Sequence, residues 1–508
     1  MQVKAGTADT QPSLSTHGVR PFTWHLRCYS FLSLFAVPVF LPWITSYFVA
    51  DDWSVIARNA HVSWQDVPQW FVTVRFGWYR PLFELFVALC WKLFGLNPVG
   101  YHLMSILLYT LLSATVGILG ELLTDDWRVG GLSTVLFAVL GCHAEPVLWF
   151  SATNELMAGL FTACGITSYV LFRRTGMRFW LLASGIGYLL GITSKETAAF
   201  LPFMLLAYDV LLFYAVTNKR LSWRSLSPLI PFVLLGMIFV LFRLSGGSPY
   251  SVTVTIPRLI MNFMYYMAIE VFALPSNYAY VASLPLWRVS PWLPTIPVTL
   301  ATSIMAMIGW LLIRSQDWRG DGGYTRALSF AVVLTIAALA SVILIVSERT
   351  AFVSSIGVVL ALSILFVCGW NAVREYGKWA KQVVTIAIIL YIGTNASVLV
   401  YRGSRWGKAG ETSRTVLMEL NSQIVELPAN AEVWLVNLPD HLEYAYTFRN
   451  TFPSASELLN YDHNIQVVLD TELTMLSPQH REDYISQLRD HPSATVFWYE
   501  NGMLVPKW

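Results

Sequence analysis

The fold is decided by residues 28–52, which read CYSFLSLFAVPVFLPWITSYFVADD. The run 28–48 contains no Asp, Glu, Lys or Arg, and as a helix it is long enough to cross the hydrocarbon core of a bilayer. Two adjacent carboxylates, Asp51 and Asp52, follow it closely. This arrangement predicts an uncleaved first transmembrane helix with an acidic pair at one membrane face.

The composition of the 508-residue chain supports a membrane protein. Hydrophobic residues make up 55% of the chain and charged residues 13%, whereas soluble domains carry roughly 25% charged residues. Residues 402–508 hold 8 Lys and Arg against 14 Asp and Glu, and the remainder holds 25 against 17. This composition excludes a soluble enzyme, a disordered chain and a disulfide scaffold, and it divides the chain into a basic apolar body and an acidic polar tail.

Further apolar runs predict about eleven transmembrane helices in all. Their expected spans are 28–48, 100–123, 131–150, 154–172, 178–194, 197–215, 225–245, 293–314, 327–346, 351–370 and 382–401. Lys and Arg concentrate in alternate loops, which the positive-inside rule assigns to the cytoplasmic face. The other loops and the tail are then extracytoplasmic, and the expected location is the cell inner (cytoplasmic) membrane.

Three segments are predicted along the chain. They are a cytoplasmic N-terminal segment 1–27, a transmembrane domain 28–401 and an extracytoplasmic domain 402–508. The first outer loop, 49–99, contains the short apolar run 81–95, which predicts a helix lying at the membrane surface. The run 258–275 fits either a second such helix or one more span.

The polar tail differs from the body in its pattern. Strand-like runs at 432–438, 465–470 and 494–498 are mixed with helical segments and predict a small α/β domain. The five cysteines lie outside this tail and form no Cys-x-x-Cys pair, so neither a zinc site nor a structural disulfide is expected. The predicted fold class is an all-α polytopic membrane protein with a small C-terminal α/β domain.

The first outer loop carries the first candidates for chemistry. A carboxylate of the Asp51-Asp52 pair can accept a proton from an acceptor hydroxyl. Arg80 can bind phosphate oxygens bidentately, and Arg58 is a weaker candidate for the same role. Structural alternatives stay open, because acids also solvate helix ends and interfacial arginines also reach lipid headgroups.

Two isolated acid–base pairs stand between apolar runs, Lys195-Glu196 and Glu348-Arg349. Charges in so tight a turn at a membrane face are costly unless they are partnered. One reading is that the two members of each pair neutralise each other. The other is that Lys195 meets a substrate phosphate while Glu196 orients it.

Histidines and polar residues also flank the predicted outer helix ends, among them His102, His143, Glu145 and Asn154. A histidine at a membrane boundary is more often a hydrogen-bonding group than a metal ligand. The spacing of His143 and Glu145 nevertheless leaves a divalent metal open. No feature of the sequence predicts a nucleic-acid partner.

These residues carry a resemblance to a known family. Asp51-Asp52, Tyr79-Arg80-Pro81-Leu82, Phe94-Gly95-Leu96-Asn97-Pro98 and Tyr101-His102 occur in this order in the first third of the chain. They are followed by Phe137-Ala138…His143-Ala144-Glu145-Pro146-Val147…Trp149, Lys195-Glu196…Tyr208-Asp209 and Ser347-Glu348-Arg349…Ser355-Ile356-Gly357. The set resembles the membrane glycosyltransferases of the GT-C class, and most closely their protein O-mannosyltransferase-like branch.

The resemblance implies transfer of a sugar, with mannose as a candidate, from a polyprenyl-phosphate donor to an acceptor hydroxyl on the outer face, with inversion. It implies that Asp51 is the general base and that Asp52 supports this base or positions the acceptor. The donor phosphate would be bound by Arg80, Lys195, Arg349 and Arg58. Supporting contacts would come from Tyr79, His102, His143, Glu145, Asn154, Glu196 and Glu348.

Several properties stay open at this point. The acceptor can be a lipid, a glycan or a protein, membrane lipids surround the body, and the dependence on metal is undetermined. A transporter or flippase for a lipid-linked substrate would carry ionisable residues near mid-membrane and inverted repeats, whereas the candidate residues of this chain cluster at one face and no internal repeat is found. A non-catalytic membrane scaffold would act through its acidic tail.

Overall fold

The computed structural model describes residues 22–217, 222–245, 254–274 and 323–507, except for 426, 429–430, 450, 460–463 and 490–493. Helices dominate up to residue 424. They are α1 Phe22–Ser33, α2 Ala36–Phe40, α3 Asp51–Ala60, α4 Val67–Trp70, α5 Pro81–Phe94, α6 Pro98–Thr124, α7 Trp127–Val139, α8 Ala144–Leu148, α9 Thr153–Thr175, α10 Arg178–Ser194, α11 Leu201–Tyr208, α12 Tyr214–Thr217, α13 Trp223–Leu226, α14 Ile230–Ser245, α15 Ile256–Phe272, α16 Gly323–Ala340, α17 Ser355–Ala372 and α18 Lys378–Ile424.

The multi-pass character predicted from the sequence is confirmed, and the described residues contain fewer candidate spans than the eleven predicted for the whole chain. Within the described residues seven helices are long and apolar enough to cross a membrane, or eight if the bent pair Trp127–Val139 and Gly141–Leu148 is one span. The helix α10 has 17 residues and is not among these candidate spans. The predicted span 225–245 divides into α13 and α14, and the predicted span 293–314 lies outside the described residues.

The two predicted short helices are present. The run 81–95 forms α5, and Pro81 occupies its first turn, where the missing N–H of proline has no cost. The run 258–275 contains most of α15, which ends at Phe272. Neither helix is among the candidate spans of the described residues.

The C-terminal part is an α/β unit, as predicted. Its elements are β1 Glu432–Leu438, β2 His441–Leu442, β3 Ala445–Tyr446, α19 Phe452–Leu458, β4 Asn464–Leu469, α20 Asp470–Met475, α21 Pro478–Arg489, β5 Ala494–Glu500 and β6 Met503–Pro506. The main sheet has the order β4-β1-β5-β6, in which β1 is parallel to β4 and β5, and β6 is antiparallel to β5. The helix α18 runs without a break through the predicted domain boundary at 401/402.

The α/β unit packs on the start of the membrane body. One apolar cluster contains Phe48 and Trp53 from the region of α3 together with Phe448 and Phe452 from the C-terminal unit, and all four are buried. Removing such large aromatic surfaces from water stabilises the contact. The C-terminal unit is therefore fixed next to the acidic pair that follows the first membrane helix.

The helices α16 and α17 approach each other closely at Gly357. A Cβ at this position would lie 2.5 Å from the carbonyl oxygen of Ala331 and 2.8 Å from the backbone nitrogen of Thr335. Small residues allow such close packing between membrane helices, where lipid provides little hydrophobic driving force for association. The glycine of the Ser355-Ile356-Gly357 motif thus has a packing role.

We expect Gly357→Ala to lower the stability of the protein by about 1–3 kcal/mol, because the added methyl group must push two backbones apart. Gly369→Ala is the matched control in the same helix, since a Cβ there meets no atom within 4 Å. Thermal unfolding midpoints of the purified variants in detergent test this prediction. Equal midpoints for the two variants would contradict it.

Candidate functional site

A cavity of about 400 Å³ lies beside the start of α3. Its wall includes seven of the residues predicted from the sequence, namely Asp51, Arg58, Arg80, Asn154, Lys195, Glu196 and Arg349. Much of the remaining wall is formed by Trp78, Arg243, Ser341, Val342, Leu344 and Ile345. Residues from distant parts of the sequence therefore meet in one volume that is large enough for a small ligand.

A tight turn presents Asp51 to this cavity. The amide of Asp52 donates a hydrogen bond to the Val49 carbonyl at 3.0 Å, and Ala50 between them has φ 44° and ψ −128°. An L-residue rarely adopts this conformation, which costs on the order of 1–3 kcal/mol unless the surroundings impose it. Asp51 then begins α3, where the helix N-terminus favours negative charge.

The second acid of the pair has a different environment. Asp52 is 2% exposed, its Oδ2 accepts the Val49 amide at 3.2 Å, and its Oδ1 accepts the Ser151 amide at 2.7 Å. Burial raises the pKa of Asp52 to about 8, although the backbone N–H groups act in the opposite direction. Asp52 therefore ties the turn to the segment before α9 and does not line the cavity.

Two basic residues of the cavity are held by acids from other elements. Arg80 forms a bidentate pair with Glu196, with 2.6 Å between Nη2 and Oε1 and 3.1 Å between Nε and Oε2. Lys195 Nζ lies 2.5 Å from Glu155 Oε1 and 3.4 Å from Asn154 Oδ1. The reading in which Lys195 and Glu196 neutralise each other is thus wrong, because each is paired across the fold.

The Glu348-Arg349 pair is divided in the same way. Glu348 Oε1 lies 3.1 Å from Arg402 Nη1. Arg349 Nε lies 3.8 Å from Glu145 Oε1, and its guanidinium stacks over Trp149 at 4.6 Å. Arg349 consequently has a longer contact to its acid than Arg80 or Lys195 has, and its side chain is 28% exposed.

Arg58 is the fourth predicted phosphate ligand. Its guanidinium pairs bidentately with Glu84, at 2.6 Å and 3.2 Å, and lies 5.0 Å from the centre of the Phe76 ring. Asn59 also donates to Glu84. This acid holds Arg58 at the edge of the cavity and links α3 to α5.

Several predicted supporting residues lie outside the cavity wall. Tyr79 donates its hydroxyl to the Phe71 carbonyl at 2.9 Å, which closes the loop before α5. His102 Nε2 lies 3.0 Å from the carbonyl oxygen of Ser46, so it holds the chain that leads into the Asp51 turn. Both contacts shape the site indirectly.

His143 is buried between helices and does not form a metal site with Glu145. Its Nδ1 lies 2.8 Å from the Tyr109 hydroxyl, and its Nε2 lies 2.8 Å from the Ser355 hydroxyl. Among the described residues, no group of three or more His, Cys, Asp and Glu side chains is arranged to hold a metal ion. We therefore derive no step through a metal.

Sequence reasoning missed part of the cavity wall. Arg243 lies in the last turn of α14 and is 5.3 Å from the Trp78 ring centre. Nothing in the sequence singles it out, because an arginine at the end of an apolar run also reaches lipid headgroups. Glu155 and Glu84, the partners of Lys195 and Arg58, could be named only once the helices were packed.

The apolar run 327–346 predicts a helix that includes residues 341–345. Instead α16 ends at Ala340. The carbonyl groups of the residues that follow this ending lack helical partners, and two side chains of α15 bind two of them. Asn262 donates to Ile343 at 2.7 Å, and the Tyr266 hydroxyl lies 2.6 Å from the Ile345 carbonyl oxygen. The irregular backbone thereby becomes part of the cavity wall.

Known proteins resemble this chain at a low level of identity. It is 25% identical over 398 residues to the human protein O-mannosyl-transferase TMTC4. The aligned region covers 67% of this chain and 53% of the relative. It is 25% identical over 321 residues to the protein O-mannosyl-transferase F38B6.6 of Caenorhabditis elegans, which covers 60% of this chain and 42% of the relative. The chain thus spans about half the length of these curated relatives. No family model matches the sequence.

A solved structure has the same architecture. The oligosaccharyltransferase of Archaeoglobus fulgidus, tethered with an acceptor peptide, aligns over 94% of this chain and 69% of its own chain, with a TM-score of 0.52 and 9% identity. This likeness concerns the fold alone. Together the comparisons confirm the GT-C-like fold and the distant homology to the TMTC protein O-mannosyl-transferases that the sequence motifs indicated.

The raised pKa of Asp52 predicts a pH-dependent contribution to stability. The folded protein holds this proton between about pH 4 and pH 8, whereas the unfolded chain has already lost it. The contribution is complete below about pH 4 and decreases, by at most about 1.4 kcal/mol per pH unit, until it is lost as the pH rises through about 8. Asp52→Asn removes this titration.

We expect the unfolding midpoint of the parent to fall, relative to that of Asp52→Asn, as the pH rises from 5 to 8. Thermal unfolding in detergent at several pH values measures this difference. A difference that stays constant over the range would show that Asp52 does not hold a proton in the folded state.

Proposed function

We propose that this chain, a distant homologue of the TMTC protein O-mannosyl-transferases with the GT-C-like fold, is a membrane glycosyltransferase. It takes a sugar from a polyprenyl-phosphate donor and transfers it to an acceptor hydroxyl. The observation that carries the proposal is the cavity itself, where the Asp51 carboxylate faces a set of basic side chains. A base and a phosphate-binding group within one volume are what an inverting sugar transfer requires.

The charge of the cavity suits a phosphate. Five basic side chains and two carboxylates are among the residues of its wall. Glu196 occupies Nε and Nη2 of Arg80, which leaves further N–H groups of this guanidinium to donate to a ligand. Arg349 has a long contact to its acid, so it can move towards a phosphate at little cost. We assign the donor phosphate to Arg80, Lys195 and Arg349, with Arg58 and Arg243 at the margin.

The reaction then proceeds in one displacement. Asp51 accepts the proton of the acceptor hydroxyl while the acceptor oxygen forms a bond to the anomeric carbon of the sugar. The bond from this carbon to the phosphate oxygen breaks on the opposite side, so the configuration inverts. The basic side chains stabilise the negative charge that develops on the leaving phosphate. Asp52 contributes through the backbone, by fixing the turn that carries Asp51.

The membrane arrangement follows from the charge of the loops. We place the cavity and residues 402–508 on the extracytoplasmic face of the cell inner membrane, because the Lys- and Arg-rich loops alternate with the loops that form the site. The isoprenoid tail of the donor lies between membrane helices, and its phosphate reaches the cavity at the membrane surface. We keep three segments, 1–27, 28–401 and 402–508, as the proposed domains.

The names of the relatives indicate which acceptor and which sugar to assay first. The TMTC proteins are named protein O-mannosyl-transferases, and the archaeal structure holds an acceptor peptide. Mannose and a hydroxyl of a protein are therefore the first pair to assay, before lipid and glycan acceptors.

We expect Asp51→Asn to lower the rate of sugar transfer by roughly 10²–10⁴-fold, the usual contribution of a general base. Transfer from a labelled polyprenyl-phosphate sugar to acceptors in isolated membranes measures this rate. Asp66→Asn is the matched control, because Asp66 lies in the same outer loop and is exposed. Transfer by Asp51→Asn at the parental rate would show that Asp51 is not the base.

Two further experiments distinguish the rival functions. Uptake of a lipid-linked substrate by proteoliposomes without any sugar transfer would identify a transporter. A cellular phenotype that survives substitution of Asp51 and Lys195 but is lost on deletion of 402–508 would identify a scaffold.

We expect Arg349→Gln to raise the KM for the donor by about tenfold to a hundredfold, because a charge-assisted contact to the phosphate is lost. Arg405→Gln is the control, since Arg405 lies on α18 and pairs with Glu443 outside the cavity. Initial rates at varied donor concentration measure the effect. A parental KM for Arg349→Gln would remove this residue from the phosphate site.

A further inference from the structure

The backbone at Ala50 is held by the C-terminal unit. The Ala50 amide donates to the Thr447 carbonyl at 2.7 Å. The Thr451 hydroxyl donates to the Ala50 carbonyl at 2.8 Å, and it also lies 2.7 Å from the Phe448 carbonyl. Thr447 and Thr451 therefore bind both backbone polar groups of the residue that precedes Asp51.

The residue held in this way is in a conformation that it would not keep alone. Ala50 has a positive φ of 44°, a region that glycine enters freely and alanine does not. It is completely buried, so water does not replace the two hydrogen bonds if they break. The C-terminal unit supplies the contacts that keep the turn in place.

We propose that Thr451 is a positioning residue, which sets the direction of the Asp51 carboxylate through the backbone of Ala50. The inference rests on the proposed function of Asp51 as the base. It also assigns a role to the C-terminal unit, which binds the turn that precedes Asp51. The donor phosphate is bound by other residues, so Thr451 affects the rate of transfer and leaves donor binding intact.

Thr447 provides a matched control. Its contribution to the turn is the backbone carbonyl, and its hydroxyl is buried without a hydrogen-bond partner among the described residues. Thr447→Val keeps the contact to Ala50, whereas Thr451→Val removes it. Thr451→Ser retains a hydroxyl and is the conservative variant.

The experiment uses the full-length protein in nanodiscs and has two readouts. The first is hydrogen–deuterium exchange of the peptide that contains Ala50, which needs no sugar transfer. We expect roughly tenfold faster exchange in Thr451→Val, the effect of losing one hydrogen bond, and parental exchange in Thr451→Ser and Thr447→Val. The second readout is transfer, where Thr451→Val is expected to lower kcat roughly tenfold with the donor KM unchanged.

A double variant tests whether the effect passes through the turn. Glycine adopts the conformation of Ala50 without strain, so Thr451→Val is expected to lower kcat less in an Ala50→Gly background than in the parent. Equal losses in both backgrounds would overturn the proposal, as would a parental exchange rate in Thr451→Val. Should Thr451→Val not fold, Thr451→Ala gives the same comparison with a smaller side chain.

The two readouts distinguish this proposal from the proposed function. Faster exchange in Thr451→Val together with no sugar transfer by the parent would overturn the function and support the contact of the C-terminal unit with the turn. Sugar transfer by the parent together with a parental kcat in Thr451→Val would support the function and overturn the role of Thr451.

Discussion

The site depends on one constraint: a carboxylate is held at the wall of the cavity by a turn whose backbone conformation is unfavourable for alanine. Ala50 has the unfavourable dihedral angles. The Val49 amide donates to the buried Asp52 within the turn, and the Ser151 amide donates to the same side chain and attaches the turn to the body. Three parts of the chain meet there: the end of the first membrane helix, the segment before α9 and the C-terminal unit. The position of Asp51 is thus a property of the whole fold.

The charges around the cavity obey a second constraint. A buried ion is costly unless it is paired, and Arg58, Arg80, Lys195 and Arg349 each pair with an acid from a different element. Arg80 with Glu196, Lys195 with Glu155 and Arg58 with Glu84 connect α3, α5, α9 and the turn after α10. These ion pairs link the helices, and the basic members of all three pairs line the cavity. A chain with few charged residues can still build a charged site, because most of these basic side chains both form an ion pair and line the cavity.

The sequence predicted the main membrane spans, the strands of the tail and seven residues of the cavity wall, because hydropathy and isolated charges are local signals. It did not predict which acid pairs with which base, since that depends on how helices pack. It also missed the end of α16 at Ala340, where the carbonyl groups are taken up by Asn262 and Tyr266 from α15. An apolar run cannot reveal that a neighbouring helix will bind its backbone.

The two adjacent acid–base pairs illustrate why this limit is physical. Neighbouring residues in a chain point in different directions, so Lys195 and Glu196 face separate partners although they are covalent neighbours, and the same holds for Glu348 and Arg349. In each pair, therefore, the two residues bind different partners and do not form an ion pair with each other. Under the proposed function, a lipid-anchored phosphate in the cavity would meet Arg80 and Lys195, whose side chains are already held by Glu196 and Glu155. Such preorganised charge stabilises a leaving phosphate more strongly than mobile side chains or water could.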